Sequence, residues 1–274
     1  MTQQIRIIRA SALACGLWLV GSLAGWAQAP TDPSKVDIMG FHLGMVPDEV
    51  KQVATAKIPS VAFDIRQGTL SMGTYKTQPL VFGVEASTGR DPGLGVQPGK
   101  DYLFFVFDQR PPYKTVSIIR KTAFTQDAAP TIKQMIASLT EKYGQPAGIE
   151  DLVGGQTKIV WTYDSKVKFE PKKNMTHLGC TLAIGQMGEA GALFQGSFGI
   201  RNDGTGSPDC GTWMAITIRA SGINPQIVGN FDVEIGDMKA MRESIQYTLD
   251  TLKKGAEGSA ADERTRAAGN KPNL

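Results

Sequence analysis

Five consecutive residues, Leu103-Phe104-Phe105-Val106-Phe107, are apolar on both parities. Side chains of a strand alternate between two faces, so this run has no polar side to turn toward water. It predicts a central strand covered on both faces. Other strands are expected around it. Val61, Phe63 and Ile65 alternate, and Leu80–Val84 is a second apolar run. Gln109–Tyr113, with two prolines, reads as a turn into Thr115–Thr122, making a hairpin. Later come Lys158–Asp164, with Ile159, Trp161 and Tyr163 on one side, then Leu178–Ile184, Phe194–Ile200, Thr212–Arg219 and Ile227–Ile235. Near the start, Val36 and Ile38 share one parity while Phe41, Leu43 and Met45 have the other, which predicts a bulge at Gly40.

Three helices are signalled. The first starts near Pro47, with Asp48 and Glu49 at the positive end of its dipole and Val46, Val50 and Val53 on one side. The second begins at Pro130 and carries Ile132, Met135, Ile136, Leu139 and Tyr143 at helical spacing. Gly144 can take a left-handed cap there, and Pro146 stops continuation. A closing helix runs from about Asp237 to Leu252, with Met238, Met241, Ile245, Leu249 and Leu252 inward. Residues 255–274 lack an apolar period and are expected to be a disordered tail. Strands come in runs rather than alternating with helices. The expected class is therefore α+β, an antiparallel sheet with helices packed on one face, arranged as two tandem α-then-β units.

The first residues read as an export signal. Arg6 and Arg9 precede an uncharged run from Ala10 to Ala27 that small residues close. Cleavage is expected after Ala27, because the later Ala27-Gln28-Ala29 frame would require cutting the bond to Pro30, a tertiary amide. This divides the chain into a signal peptide at 1–27, an exported domain at 28–254 with halves 34–122 and 123–254, and the tail at 255–274. Removing Arg6 and Arg9 takes the excess of basic over acidic residues from three to one. Such a balance argues against a nucleic-acid binder. Cys15 leaves with the signal, so Cys180 and Cys210 remain in a compartment where disulfides persist, and they are expected to be bonded. On the chain-entropy model such a bridge stabilises by about 3–4 kcal/mol.

Gly40-Phe41-His42-Leu43-Gly44-Met45-Val46-Pro47-Asp48-Glu49-Val50 resembles the LGM-x-x-[DE]-x-V helix start of many secreted proteobacterial proteins of unknown function. It is similar, more distantly, to the Gly-Met starts of small outer-membrane assembly lipoproteins (the SmpA/OmlA family) and of β-lactamase-inhibitor-like modules. Lys142-Tyr143-Gly144-Gln145-Pro146 and Trp161-Thr162-Tyr163-Asp164 resemble a helix end and a strand that recur in such secreted proteins. The chain lacks the lipid-attachment cysteine of the lipoproteins and is longer. No binding residue is carried over.

Signatures of chemistry are sparse. The two histidines, His42 and His177, have no partner constellation and read as ordinary polar residues. Two histidines and a bonded cysteine pair do not make a zinc site, so no metal is expected. Ser165-Lys166-Val167-Lys168 matches S-x-x-K without the accompanying S-D-N or K-T-G. Gly93–Lys100 has the wrong glycine spacing for a phosphate loop, with Asp101 after the lysine, so no nucleotide cofactor is implied. Asn202–Asp209 lacks the acidic spacing and terminal glutamate of a calcium loop.

Two surfaces remain as contact candidates. Ala86–Lys100 is a long Gly/Pro-rich connection. Lys166, Lys168, Lys172 and Lys173 form a locally basic segment suited to an anionic partner. The expectation is an exported, periplasmic or secreted, non-enzymatic binding or envelope-interaction protein. Its partner would be a protein or an envelope component, with no nucleic acid and no stable membrane span after signal cleavage. The alternative is a divergent envelope hydrolase using paired carboxylates such as Asp164, Glu170 or Asp232.

Overall fold

The structure, a computed structural model, describes residues 32–88, 90–91, 95–164 and 211–269. The expected signal peptide, the strands Leu178–Ile184 and Phe194–Ile200, His177, Cys180, Cys210, Lys166, Lys168, Glu170, Lys172 and Lys173 lie outside the described residues.

Helix α1 (Pro47–Lys57) is followed by strand β1 (Ala62–Gly68), a small hairpin of β2 (Ser71–Met72) and β3 (Tyr75–Lys76), and β4 (Leu80–Ser87). A second small hairpin, β5 (Arg90–Asp91) and β6 (Gly95–Val96), leads to β7 (Asp101–Phe107) and β8 (Thr115–Ala123). Helix α2 (Ile132–Tyr143) then precedes β9 (Gly148–Leu152), β10 (Gln156–Tyr163), β11 (Thr212–Ala220) and β12 (Val228–Asp237). Helix α3 (Met238–Gly269) closes the described chain. Eight strands form one sheet in the order β1-β4-β7-β8-β12-β11-β10-β9, every pair antiparallel. Each half is a helix followed by a four-strand meander, and the last strands of the two meanders, β8 and β12, pair with each other. The α+β class and the tandem α-then-β order thus match the expectation. Within the expected loop Ala86–Lys100, the described residues include the end of β4 and the paired strands β5 and β6.

β7 is covered on both faces, as its apolar run requires. Leu103, Phe105 and Phe107 join a first core cluster with Phe41, Val50, Ala54, Ile118, Leu139, Tyr143, Ile159 and Trp161. Tyr102, Phe104 and Val106 join a second cluster with Ile119, Val160, Trp213, Met238 and Met241. Helices α1 and α2 therefore pack on the first face, while the start of α3 lies against the second. Contrary to expectation, the helices do not share one face, because α3 follows β12 directly and buries Met238 and Met241 in the second cluster. Phe104 is seated over the backbone of β4, where a Cβ on Gly83 would come within 2.6 Å of its ring. That close approach explains the glycine inside a strand.

Several boundaries differ from expectation, each for a physical reason. The parity break before α1 is a two-residue turn, not a bulge. Ile38 and Phe41 exchange backbone hydrogen bonds of 2.8 and 3.0 Å, and Met39 and Gly40 both have positive φ. Such turns match strand twist, and this one directs Ile38 and Phe41 together into the core. Helix α2 starts two residues after Pro130, because the Thr131 hydroxyl caps it by accepting the Gln134 N–H while Gln134 reaches back to the Thr131 N–H. Pro130 contributes its carbonyl to β12 instead, accepting from the Val228 N–H.

The largest correction concerns the expected tail. Helix α3 continues through Gly255 to Gly269, so the chain after Leu252 is helical for fifteen more residues of the expected 255–274 segment. Nucleation, the costly step, is already complete in the docked first half, and Ala, Glu and Arg propagate it readily. Its buried stripe is also rotated. Ser244 and Thr248 are buried beside Met238, Met241 and Leu252, whereas Ile245 and Leu249 are only half-buried. Ser244 Oγ accepts the backbone N–H of Gln109 at 2.8 Å, and Thr248 Oγ1 donates to the Ser244 carbonyl. Small polar residues face inward because the β7–β8 turn crosses close to the helix. Arg110 adds a clamp, bridging Asp108 in that turn and Glu243 on α3.

Candidate functional site

The two-residue period of β12 sends Phe231, Val233 and Ile235 into the first cluster. Asn230, Asp232 and Glu234 consequently point to the second face. Register then aligns them with polar residues of four other strands. Lys121 on β8, Asp232 on β12, Thr217 on β11, Lys158 on β10 and Glu150 on β9 form one cross-strand row. At the usual strand spacing five strands span roughly 19 Å. In the next row Glu234 sits between Ile119 and Ala215, and on the other side Asn230 faces Arg219. All of the charged members are half-buried. Helix α3 covers the apolar end of this face through Met238 and Met241, and the polar rows occupy the strand ends away from it.

The row alternates in sign: Lys121, Asp232, Lys158, Glu150. Arg219 Nη1 donates to Asp232 Oδ2 at 2.6 Å and reaches Asn230 Oδ1 at 3.4 Å. Burial pushes the Glu234 carboxyl above its ordinary value, with Asp232 adding to the shift and Lys158, Lys121 and Arg219 opposing it. Burial likewise pushes the Lys158 ammonium below its ordinary value, against the attraction of Glu234 and Glu150. Neither side chain has a hydrogen bond or close ion pair among the described residues. Glu150 Oε2 is enclosed and accepts no hydrogen bond among the described residues. An ionic row left only partly satisfied retains capacity for donors and acceptors from outside.

The raised carboxyl has a testable consequence. The stability associated with Glu234 is fully present below its ordinary pKa of 4.5 and is lost as pH rises through the higher folded value. Glu234→Gln cannot ionise, so this part of the pH dependence should vanish. Urea unfolding between about pH 4 and pH 8 is expected to show a flatter stability profile for the variant. An unchanged slope would mean that Glu234 titrates normally.

The other sequence-derived candidates are not gathered here. Asp164 is at the opposite end of β10, where its Oδ1 accepts the Thr212 N–H at 2.8 Å. Thr212 and Thr217, the β11 partner of Asp232, are five residues apart, so about 17 Å of strand separates the two carboxylates. Asp164 and Asp232 are therefore not paired, and Glu170 lies outside the described residues. His42 is exposed, its Nδ1 2.9 Å from the Leu43 carbonyl oxygen, and remote from the row. Among the described residues no group of three metal-ligating side chains occurs, and no helix is long and apolar enough to cross a membrane. Lys121, Lys158, Glu150, Arg219 and Glu234 were not singled out from sequence. The alternation in β12 was the available signal, but it names a face and not the neighbours across it.

No protein-family model, no curated protein and no solved structure matches this chain.

Proposed function

We propose that this chain is an exported, non-enzymatic binding protein of the cell envelope, acting in the periplasm or outside the cell, whose recognition surface is the polar row of the second face. The observation that carries the reading is the half-buried row of alternating sign, Lys121-Asp232-Thr217-Lys158-Glu150. It lies on a broad sheet face, the kind of surface that meets another macromolecule. Complementary charges on a partner would set register and partner choice there. Export rests on the Met1–Ala27 segment and its basic-apolar-small layout.

The test is co-purification from an envelope extract. A reproducible partner should be retained by the unsubstituted chain and by Lys133→Glu, which alters an exposed lysine of α2. Lys121→Glu with Lys158→Glu should weaken its affinity by about tenfold or more. Equal retention by all three proteins would remove the polar row from the binding surface.

A second reading, a carboxylate hydrolase, is favoured by one observation. Asp232 and Glu234 are two residues apart on one face, one paired with Arg219 and the other with its carboxyl pushed up. A carboxylate held in an ion pair beside one that burial favours in its neutral form can serve as base and acid. Turnover of an envelope polysaccharide that disappears in Glu234→Gln would choose this reading over the first.

A further inference from the structure

We propose that β1 is a self-association edge, at which a second copy of this chain adds its own β1 antiparallel about a two-fold axis through Ile65. β1 ends the eight-strand sheet and, among the described residues, pairs only with β4. Its outward side therefore presents a row of backbone donors and acceptors, the template that sheet edges offer. The strand is also apolar in an unusual place. Phe63 and Ile65 are 36% and 49% exposed. Their cross-strand partners Ala86 and Val84 belong to the first core cluster, so both lie on the face that α1 and α2 cover farther in.

The occupant follows from charge. Asp64 and Arg66 flank Ile65, with their side chains 59% and 38% exposed. An antiparallel pair centred on Ile65 sets Ile65 against its own copy, Asp64 against Arg66 of the copy, and Arg66 against Asp64 of the copy. Opposite charges directly across a strand pair are favourable. Arg66 already contacts Asp64 and Glu85 within the chain. Its guanidinium carries five N–H donors, enough for a further carboxylate. The register shift beside Arg66 skips a residue of β4, not of β1, since Arg66 faces Gly83 and Gln67 faces Val81. The outer edge of β1 thus keeps an unbroken run. The opposite edge of the sheet, β9, offers Glu150 and Asp151 in succession without a cation, which repels its own copy. Pairing of β1 with itself is isologous and closes at two chains, rather than growing into a filament.

Edge pairing alone buries less than a standard interface, so the dimer is expected to dissociate on the order of 1–100 μM. Register gives a sharper test. Across the axis the two Ile65 Cα atoms would be about 4.5–5.5 Å apart, inside the range a disulfide spans. The two Phe63 Cα atoms would be about 13 Å apart, outside it. Under oxidising conditions the purified exported chain carrying Ile65→Cys should run as a cross-linked dimer on a non-reducing gel. Phe63→Cys should not exceed the unsubstituted chain, which controls for Cys180 and Cys210. In sedimentation velocity, Asp64→Arg should lower the association constant by about tenfold or more with an unchanged circular dichroism spectrum. A chain that stays monomeric through the high micromolar range overturns the proposal, as do equal cross-linking through Phe63→Cys and a dimer insensitive to Asp64→Arg.

Discussion

Replacing Phe105 with alanine is expected to lower the stability of the folded chain by about 3–5 kcal/mol, the usual range for emptying an enclosed aromatic site. Phe105 is fully buried. It stands in the middle of β7, with Val84 of β4 and Ile118 of β8 as its cross-strand partners. Above it, the ring of Phe41 lies 4.9 Å away at 56°. Phe41 is held there by the Ile38–Phe41 turn and packs in the same cluster as Val50 and Ala54 of α1. A cavity at Phe105 therefore removes contacts to two neighbouring strands and to the layer above. The sheet cannot collapse to fill it without breaking register. Against a typical total of about 5–15 kcal/mol the loss is a large share, and urea unfolding at neutral pH reads it directly. A loss below about 1 kcal/mol would mean that the ring is not enclosed as described.

Two glycines on helix α3 are expected to respond to the same substitution with opposite sign. Gly258→Ala meets nothing within 4 Å, so it should gain the ordinary helix-propensity difference of about 0.5–1 kcal/mol. At Gly255 a Cβ would lie 2.2 Å from the ring of Tyr75 on β3. The ring is the far end of a side chain on a two-strand hairpin, so the hairpin would move rather than the helix break. Gly255→Ala is expected to lose about 1–3 kcal/mol through overpacking, less the propensity gain. The contact between Thr74 Oγ1 and Ser259 Oγ, 3.4 Å apart, should open with it. Thermal unfolding of the two variants side by side decides the matter. Stabilisation by both would mean that the second half of α3 stands clear of the hairpin.

Legibility followed physical cause. Long apolar patterns announced themselves: β7, β10 and α2 lie close to where their spacing placed them, because burial of one or both faces leaves a period in the residues. At Gly40 the residues admit a bulge as readily as the turn that forms there. A glycine signals a break, a turn or a close approach equally, and the choice depends on what lies opposite. Ser244 and Thr248 left no hydrophobic trace at all, although the helix turns them inward to bond and pack beside the β7–β8 turn. Amphipathicity stops at Leu252 and predicts an end to α3 there, while propensity and the Tyr75 contact carry the helix onward.

The candidate site was only half visible. Alternation in β12 puts Asn230, Asp232 and Glu234 on one polar side, yet nothing local in that strand places Lys121 and Lys158 beside them. By itself the sequence determined the types of most long elements, the two-sided burial of Leu103–Phe107 and the antiparallel α+β class, since those follow from period and composition within each segment. Only the tertiary structure decided that β8 pairs with β12, which joins the two meanders and assembles the charged row across them. A two-residue period states which face a side chain takes; the neighbour on that face is chosen by strands far apart along the chain.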